Sequence, residues 1–462
     1  MQVLAGISDG AVLQRDSGDL CRVDIDARFT GEPVSSIGIL NRKTESEWEL
    51  SGIPTGGPYT IIFRDAESSA TFRDIYVGDV WLLAGQSNME GAGRMTPEDD
   101  AYVRHPHPML RALYMDDRWD SARPQLHQLW LSPDPAHQAA NQRYRDSIRE
   151  RKLTVLDHFP APQRRGVGPG LYFAQEMHHL SGGVPQGLIP CAVGGAPIEM
   201  WLPTEDGSAN YYTAARRRLR LAGNHIRGVF WSQGEGNPNW AAYPDQIRRL
   251  RSDLVQHLHC GMLPFVQVQS FRLTLPAPPE TAYVWSRFRD MQRTMPAFWP
   301  DLATIAANDL ELDDCIHLSS DSQKKIGARA AKAMHYLIAG IGRPEPDLDS
   351  IRAEPDEYLP FNYTLRIKYR NVTGCLKASG VPSGFTLRKI QSGQDPSLDH
   401  IQRIYPAGDE VVIRTELALA ELQQRELWYG WGNSFYCNIT DEADRAIPAM
   451  GPIALDCILS PL

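Results

Sequence analysis

The sequence predicts an α/β fold in which helices cover both faces of a parallel sheet and a β module flanks each end. Between residues 77 and 342, short apolar runs typical of buried strands alternate with amphipathic helical patterns. Strands that alternate with helices favour a parallel sheet. The two ends of the chain instead have the period-two alternation and the turn residues that are typical of β modules.

The N-terminal module is predicted over residues 1–76. Residues 21–27 alternate polar and apolar side chains, and the glycines and proline at 56–58 predict a turn before the apolar run 59–63. This pattern is typical of a small β-sandwich.

The central domain is predicted over residues 77–342. We expect its buried strands at the apolar runs 80–84, 188–193, 228–231, 265–268 and 302–306. Apolar residues at three- and four-residue steps predict two helices, one through Ile247, Leu250, Leu254 and Leu258, the other through Ile326, Ala330, Ala333, Met334 and Leu337.

An insertion at about 92–165 fits neither pattern. It is long and rich in Arg, Asp, His and Pro, which is typical of a lid or a substrate-binding wall; the alternative is a surface helical segment without function. After the Gly- and Pro-rich break at 340–346 the β pattern returns, and a C-terminal β module is predicted over 343–462.

Composition and charge exclude several classes of protein. Of the 462 residues, 42% are hydrophobic and 22% charged, as in folded proteins. The 47 Lys and Arg face 56 Asp and Glu, and a net charge of −9 gives no basic surface for nucleic acid or anionic lipid. No apolar run approaches the roughly 20 residues that span a bilayer. We therefore expect no nucleic-acid or membrane partner.

The cysteines and the N-terminus bear on whether the protein has disulfides, a zinc site or a signal peptide. The seven cysteines are odd in number and include no C-x-x-C pair, which argues against a disulfide framework or a structural zinc site. The N-terminus has no charged segment followed by an apolar core, so no signal peptide is predicted. A cytoplasmic protein and a mature secreted or periplasmic form both remain open, and the sequence does not indicate the oligomeric state.

The first catalytic candidate is Ser87, within the segment GQSNMEG at 85–91. Active sites of open α/β sheets form beyond the carboxyl ends of strands, and this segment directly follows a predicted strand. Gly85 permits a tight turn, so that Ser87 can begin a helix as a nucleophile and supply its backbone N–H. The alternative is that Ser87 only caps that helix. The segment is not the G-x-S-x-G elbow of α/β-hydrolases, because position 89 is Met.

The second candidate is the pair Asp314 and His317. The spacing of Ser320 and Gln323 predicts a helix that begins just after 320, with His317 in the loop before it. An aspartate three residues earlier can accept the imidazole Nδ1–H and leave Nε2 to take a proton from a serine. A local loop hydrogen bond is the alternative explanation.

Two further loops follow predicted strands. Gly194 and Gly195 expose backbone N–H groups after one strand, and Gln233 and Asn237 follow another. An oxyanion hole needs such convergent donors. The alternatives are a simple tight turn for the glycines and a loop-bracing role for the amides.

Together, four motifs resemble the SGNH (GDSL-like) hydrolases, in the carbohydrate-esterase branch that includes sialate O-acetylesterases. They are GDVW at 78–81 leading into GQSNME, GGAPIEMW at 194–201, WSQGEGN at 231–237, and DCIHLSS at 314–320. The resemblance extends to AVLQR at 11–15, WYGWGN at 428–433 and CNIT at 437–440, and leaves out the insertion. It implies an SGNH-type, flavodoxin-like central sheet.

The resemblance also implies residue roles. Ser87 would be the nucleophile, His317 the general base and Asp314 its orienting partner. The oxyanion donors would be the backbone N–H groups of Ser87 and Gly195 and the amide of Gln233, with Asn237 as the alternative because many family members place Asn there. Glu199 and Glu235 would be structural. The implied reaction is deacetylation of a sugar through an acyl-enzyme, without metal or organic cofactor.

Substrate contacts are predicted in the insertion and at the end of the second motif. They are Arg118, Trp119, His127 and Trp130 in the insertion, and Trp201, which either lines the pocket or packs within it. Acetylated sialic acid, xylan and xyloglucan all remain possible substrates. The functional alternatives are an esterase of other small acyl esters and a non-catalytic carbohydrate-binding protein.

Overall fold

The computed structural model describes residues 1–150, 165–237, 241–274, 278–389 and 400–456, without the side chains of residues 147–150 and 279. The chain divides into two compact units. The first comprises residues 1–236, 245–265 and 317–335, and the second comprises 237–244, 266–316 and 336–462.

The first unit begins with a set of mainly antiparallel strands. Four of them form a sheet in the order β1-β3-β6-β5, and β4 pairs with β7. In β3 the alternation predicted at 21–27 is confirmed, because Cys21, Val23, Ile25 and Ala27 are buried. The strands are β1 (Gln2–Ala5), β2 (Val12–Gln14), β3 (Leu20–Arg28), β4 (Val34–Ser35), β5 (Ile39–Arg42), β6 (Glu47–Pro54) and β7 (Gly56–Arg64).

A single long strand, β8 (Ser69–Gly85), runs from this region into the large sheet. Its first part pairs with β7 antiparallel and with β2 parallel, and its last part pairs with strands of the large sheet. The boundary predicted between residues 76 and 77 therefore lies inside one strand. The division into three modules stays a prediction.

The large sheet of the first unit has the strand order β11-β10-β13-β8-β14. The neighbouring strands from β10 to β14 run parallel to one another. β11 pairs antiparallel with β10, and β7 pairs antiparallel with β8. The α/β class is confirmed, but the sheet is mixed rather than wholly parallel. The added strands are β9 (Gly93–Arg94), β10 (Leu110–Leu113), β11 (Trp119–Ser121), β12 (Arg165–Val167), β13 (Gln186–Pro190) and β14 (Gly228–Ser232).

The middle of the insertion belongs to this sheet. β10 and β11 form a hairpin at its edge, and Leu110, Ala112 and Leu113 are buried. The alternative of a surface helical segment is wrong for residues 110–113 and 119–121, because these residues are strands of the sheet. A lid or substrate-binding wall stays a prediction. The remainder of the described insertion is mainly helical.

The helices confirm both predicted amphipathic patterns. Residues 247–258 fall on α6 and the turn after it, and residues 326–337 fall on α8. The helices are α1 (Ser87–Glu90), α2 (Pro97–Arg104), α3 (Pro135–Glu150), α4 (Gly170–Leu180), α5 (Tyr211–Leu221), α6 (Tyr243–His257), α7 (Pro279–Thr294), α8 (Ser320–Ala339) and α9 (Leu419–Leu422). None of the described helices combines the length and apolar character needed to cross a membrane.

The second unit contains the neighbouring strands β15 (Phe265–Val268) and β16 (Leu302–Ile305), followed by several β-sheets. These have the strand orders β17-β18-β22-β21, β19-β24 and β20-β23-β25, around a core that includes Leu365, Ile367 and Val411. The strands are β17 (Asp347–Pro355), β18 (Tyr363–Arg370), β19 (Lys377–Ala378), β20 (Phe385–Lys389), β21 (Ile401–Ala407), β22 (Glu410–Thr415), β23 (Arg425–Tyr429), β24 (Ile439–Thr440) and β25 (Met450–Ala454).

Candidate active site

Ser87 is the first residue of α1, directly beyond the carboxyl end of β8. The turn depends on Gly85, whose φ is +129° and where a Cβ would lie 2.1 Å from the carbonyl oxygen of Ser232 on β14. The same carbonyl accepts the Gln86 N–H at 2.8 Å. Ser87 is partly exposed, and as the first helical residue its N–H has no acceptor within the helix. The Ser87 hydroxyl and the Ser87 N–H are therefore both available at the carboxyl end of β8.

The helix that carries Ser87 contacts the segment that carries His317. The side-chain oxygen of Asn88 accepts the backbone N–H of Leu318 at 3.0 Å, and both residues are buried. His317 is partly exposed, and α8 follows it. This helix begins at Ser320, slightly earlier than predicted, because the Ser319 hydroxyl already accepts the Ser322 N–H at 3.3 Å. A single buried amide thus joins two motifs that are far apart in the sequence.

Asp314 and Asn237 belong to the second unit. The Asp314 carboxylate accepts the backbone N–H of Ile316 at 3.0 Å, which fixes the short loop that leads to His317. Asn237 is buried.

The predicted oxyanion loop forms a tight turn over residues 193–196. The Ala196 N–H donates to the Val193 carbonyl at 3.2 Å, and Gly195 has a φ of +68°, as the third residue of a type II turn does. Gly194 donates its N–H to the Glu90 carboxylate. Within the described part of the chain the Gly195 N–H has no hydrogen-bond acceptor, so of the two glycines Gly195 is the one with a donor available.

The Gln233 loop is tied to both neighbouring loops. Gln233 donates from its side-chain nitrogen to the Ala196 carbonyl at 3.2 Å. The side-chain oxygen of Gln86 accepts the Gly236 N–H at 3.2 Å. Hydrogen bonds therefore join the loops after β8, β13 and β14. Gln233 donates one of these bonds, and Ser87 and Gly195 are sequence neighbours of Gln86 and Ala196, which accept them.

Two acidic side chains in these loops have raised pKa values. Burial raises the pKa of Glu90 to about 7, although its hydrogen bond from Gly194 opposes that rise. Burial likewise raises the pKa of Glu235 to about 7. Glu199 is exposed and accepts a hydrogen bond from Gln246 at 2.7 Å. Of the two glutamates expected to be structural, Glu199 is the one exposed to solvent.

A buried carboxylate from the insertion holds the start of α8. Asp99 on α2 accepts hydrogen bonds from the Ser320 hydroxyl at 2.7 Å, the Thr96 N–H at 2.6 Å and the Tyr172 hydroxyl. Lys324 lies 3.9 Å from the same carboxyl group. Because Ser320 is three residues after His317, the insertion supports the histidine segment from outside the sheet.

The predicted substrate contacts differ sharply in exposure. Trp130 is 62% exposed on a short 3-10 helix, and Arg118 is exposed in the turn between β10 and β11. Trp119 is 6% exposed, and its ring occupies the space where a side chain at Gly187 would lie. Trp201 is 1% exposed, and its ring centroid is 5.3 Å from that of Trp231. The two buried tryptophans pack the interior and present almost no surface to a ligand.

His127 is also buried. Burial, assisted by the guanidinium of Arg218, lowers the pKa of His127 to about 3, so this imidazole is neutral at ordinary pH. No group of three or more His, Cys, Asp or Glu side chains within the described ranges is arranged to hold a metal ion.

Comparison with known proteins decides the family. Residues 77–336 match the model of the family described as carbohydrate esterase, sialic acid-specific acetylesterase. The chain belongs to this family. The predicted resemblance to sialate O-acetylesterases is therefore confirmed, and it rests on a match that covers more than half of the chain.

Two relatives of this carbohydrate esterase differ in coverage. A protein of Arabidopsis thaliana described as a probable carbohydrate esterase is 26% identical over 277 residues, which are 55% of this chain and 89% of that protein. The crystal structure of a carbohydrate acetylesterase from Xanthomonas citri superimposes with a TM-score of 0.69 at 20% identity, covering 97% of this chain and 98% of that one. The second likeness shows that the fold is shared along nearly the whole length.

Sequence reasoning on this esterase missed Glu90 and Asp99. Glu90 is the last residue of the GQSNME motif, and its position three residues after Ser87 was the available signal. For Asp99 the signal was the spacing of Thr96 and Asp99, which form a capping box on α2. Neither signal reveals the distant partner, which is Gly194 for Glu90 and Ser320 for Asp99.

Proposed function

We propose that this carbohydrate esterase is a serine O-acetylesterase that removes acetyl groups from sugars. In this proposal Ser87 is the nucleophile, His317 the general base and Asp314 its orienting partner. The observation that carries the proposal is the 3.0 Å hydrogen bond between Asn88 and Leu318, because each of these residues directly follows a proposed catalytic residue. A helix cap alone would not require a histidine-bearing segment beside Ser87.

In the acylation step, the Ser87 hydroxyl attacks the acetyl carbonyl carbon and His317 accepts the hydroxyl proton at Nε2. The new carbon–oxygen bond places a negative charge on the former carbonyl oxygen. When this tetrahedral intermediate collapses, the ester bond to the sugar breaks and His317 returns its proton to the departing sugar oxygen. The products are the free sugar hydroxyl and acetyl-Ser87.

Deacylation repeats the chemistry with water as nucleophile. His317 takes a proton from water, the resulting hydroxide attacks the acetyl group, and Ser87 leaves with the proton to regenerate the enzyme. Asp314 would accept the Nδ1–H of His317 and so keep Nε2 available in both steps. No metal or organic cofactor enters this scheme.

Three donors would stabilise the tetrahedral oxyanion. They are the backbone N–H groups of Ser87 and Gly195 and the side-chain amide of Gln233, with Asn237 as the alternative third donor. The network that joins Gln86, the turn at 193–196 and the Gln233 loop supports this choice, because it holds the three loops together. Each oxyanion donor contributes roughly 3–4 kcal/mol to the transition state.

For the fold, we propose the SGNH arrangement of the central sheet. The pairing of β8 supports it, because β8 lies between β13 and β14 and runs parallel to both. These three strands lead into the loops of Ser87, Gly195 and Gln233. In a flavodoxin-like sheet the first strand has the same central place, and ligands bind beside it. The proposed modules remain 1–76, 77–342 and 343–462.

The proposed substrate is an acetylated carbohydrate, with sialic acid, xylan and xyloglucan derivatives as the candidates. The family description favours an O-acetyl sialic acid. Arg118 and Trp130 are the proposed contacts that are exposed to solvent, and a cation and an aromatic ring suit a carboxylated sugar.

A panel of substrates tests the proposal. Acetate release is measured from 9-O-acetyl sialic acid, acetyl-xylan, acetylated xyloglucan oligosaccharides and p-nitrophenyl acetate, with Ser87→Ala beside the wild type. Ser87-dependent release from one glycan well above the others supports the proposal and names the sugar. Release from p-nitrophenyl acetate alone would favour an esterase of other small acyl esters. Glycan binding without any release would favour a non-catalytic binding protein.

A further inference from the structure

Glu90 joins the nucleophile helix to the oxyanion turn. It is the last residue of α1, three residues after Ser87, and residues at this spacing lie on the same side of a helix. Its carboxylate accepts the backbone N–H of Gly194. One four-residue helix therefore carries both the proposed nucleophile and the side chain that reaches the turn.

The space between these elements is small. A Cβ built on Gly194 would lie 2.9 Å from the Glu90 carboxylate oxygen and 3.7 Å from the Ser87 Cβ. The turn is therefore adjacent to Ser87, and a side chain at position 194 would require the Glu90 carboxylate to shift. Glycine at position 194 lets the carboxylate approach the turn without that shift.

The turn is anchored at both ends: the Val193 N–H donates to the Gly85 carbonyl at 3.2 Å, and the Ala196 carbonyl accepts the side-chain amide of Gln233 at 3.2 Å. The hydrogen bond from Ala196 to Val193 closes it, and the Glu90 carboxylate holds the Gly194 N–H at its beginning. The Gly195 N–H belongs to the peptide between these ends, and the positive φ of Gly195 sets the direction of that peptide. Removing the Glu90 contact would leave the turn closed and anchored at Val193 and Ala196, but would release the Gly194 N–H and so the orientation of the Gly194–Gly195 peptide relative to Ser87.

We propose that Glu90 is a positioning residue for the oxyanion hole, which holds the Gly194–Gly195 turn so that the Gly195 N–H points at the acyl oxygen on Ser87. This inference rests on the proposed function. Glu90 acts through the turn and does not touch the reacting atoms.

The charge of Glu90 is compatible with this role. A full negative charge beside a developing oxyanion would oppose the reaction. Burial raises the pKa of Glu90 to about 7, so the neutral carboxyl is well populated near neutral pH, and its carbonyl oxygen still accepts the Gly194 N–H. A glutamine at this position offers the same acceptor without any charge. The Glu90→Gln variant therefore distinguishes the effect of the hydrogen bond from the effect of the charge.

The test compares Glu90→Ala, Glu90→Gln and Glu199→Ala in steady-state kinetics with p-nitrophenyl acetate. Glu199 is the matched control, because it lies three residues after the turn at 193–196 and its exposed carboxylate accepts a hydrogen bond from Gln246 instead of from the turn. We expect Glu90→Ala to lower kcat by roughly 10- to 100-fold with KM changed less than about threefold, since a donor is misplaced rather than removed. Glu90→Gln should keep kcat within about threefold of the wild type, and Glu199→Ala should match it.

Amide hydrogen exchange of the peptide that contains Gly194 provides a readout independent of turnover. Exchange should accelerate in Glu90→Ala and stay slow in Glu90→Gln, measured on protein whose circular dichroism matches the wild type. An unchanged kcat in Glu90→Ala, or an equal loss in both Glu90 variants, would overturn the positioning role while the esterase assignment stands. A wild type without Ser87-dependent turnover would instead overturn the proposed function, and this inference with it.

Discussion

The close approach of β8 and β14 at Gly85 makes a quantitative prediction for Gly85→Ala. A Cβ at this position would lie 2.1 Å from the carbonyl oxygen and 2.7 Å from the carbonyl carbon of Ser232. Both are backbone atoms, so no side-chain rotation relieves the overlap. The two strands must separate, or the chain must leave its φ of +129°.

Two costs add in this variant. A non-glycine residue at such a φ costs on the order of 1–3 kcal/mol, and forcing an extra carbon into packed backbone costs about another 1–3 kcal/mol. We therefore expect a destabilisation of roughly 2–6 kcal/mol. The shift also lengthens the 2.8 Å hydrogen bond from Gln86 to Ser232, and a displacement of about 1 Å at Ser87 should lower kcat by about 100-fold or more.

Urea unfolding, followed by circular dichroism and by tryptophan fluorescence, measures this destabilisation. Gly182→Ala is the matched control, because Gly182 has a φ of +72° and nothing lies within 4 Å of a Cβ built there. The control should lose only about 1–2 kcal/mol, the cost of the left-handed backbone alone. If Gly85→Ala were no less stable than Gly182→Ala and kept its esterase activity, the argument that β14 fixes the Ser87 turn would be refuted.

Three further predictions concern buried or catalytic carboxylates. Asp99→Ala should destabilise the protein by about 3–5 kcal/mol in urea unfolding, because it leaves the hydroxyls of Ser320 and Tyr172 without their buried acceptor, whereas Asp100→Ala should change little. Glu90→Gln should raise stability at pH 8 but not at pH 4: a folded pKa raised to about 7 means that the native state resists ionisation, so the wild type loses stability as pH rises from about 4.5 to 7, by at most about 3 kcal/mol. Asp314→Asn should keep the fold and lower kcat by roughly 10²- to 10⁴-fold, because the wrong imidazole tautomer is favoured; a kcat near that of the wild type would assign the orienting role to another group.

The elements predicted best are those with strong local patterns. The apolar run at 265–268 and the helical spacing from Ile326 to Leu337 reflect burial that the sequence itself records. The hairpin at 110–121 was missed because strands of four and three residues at a sheet edge carry too few apolar positions to show a period. Its membership of the sheet depends on pairing with β13, which is distant in the sequence.

Candidate site residues divide in the same way. Ser87 and His317 lie in short motifs that can be recognised from neighbouring residues alone. In the structure, Asn88 joins the two segments by its hydrogen bond to Leu318. A tryptophan in a polar segment suits a binding wall and a core equally well, and only the three-dimensional packing showed that Trp119 fills the space beside Gly187. Glu90 has no recognisable role until Gly194 is beside it, because that contact joins residues from two different motifs.

Covalent labelling tests the central claim, that Ser87 is the nucleophile of an acetylesterase, most directly. The protein is treated with a serine-directed fluorophosphonate, the modified residue is identified by peptide mass spectrometry, and acetate release is measured on the same samples. We predict a single adduct on Ser87, loss of acetate release in proportion to labelling, and neither adduct nor turnover in a folded Ser87→Ala variant. Acetate release that persists in Ser87→Ala, or an inactivating adduct on another serine, would contradict the account.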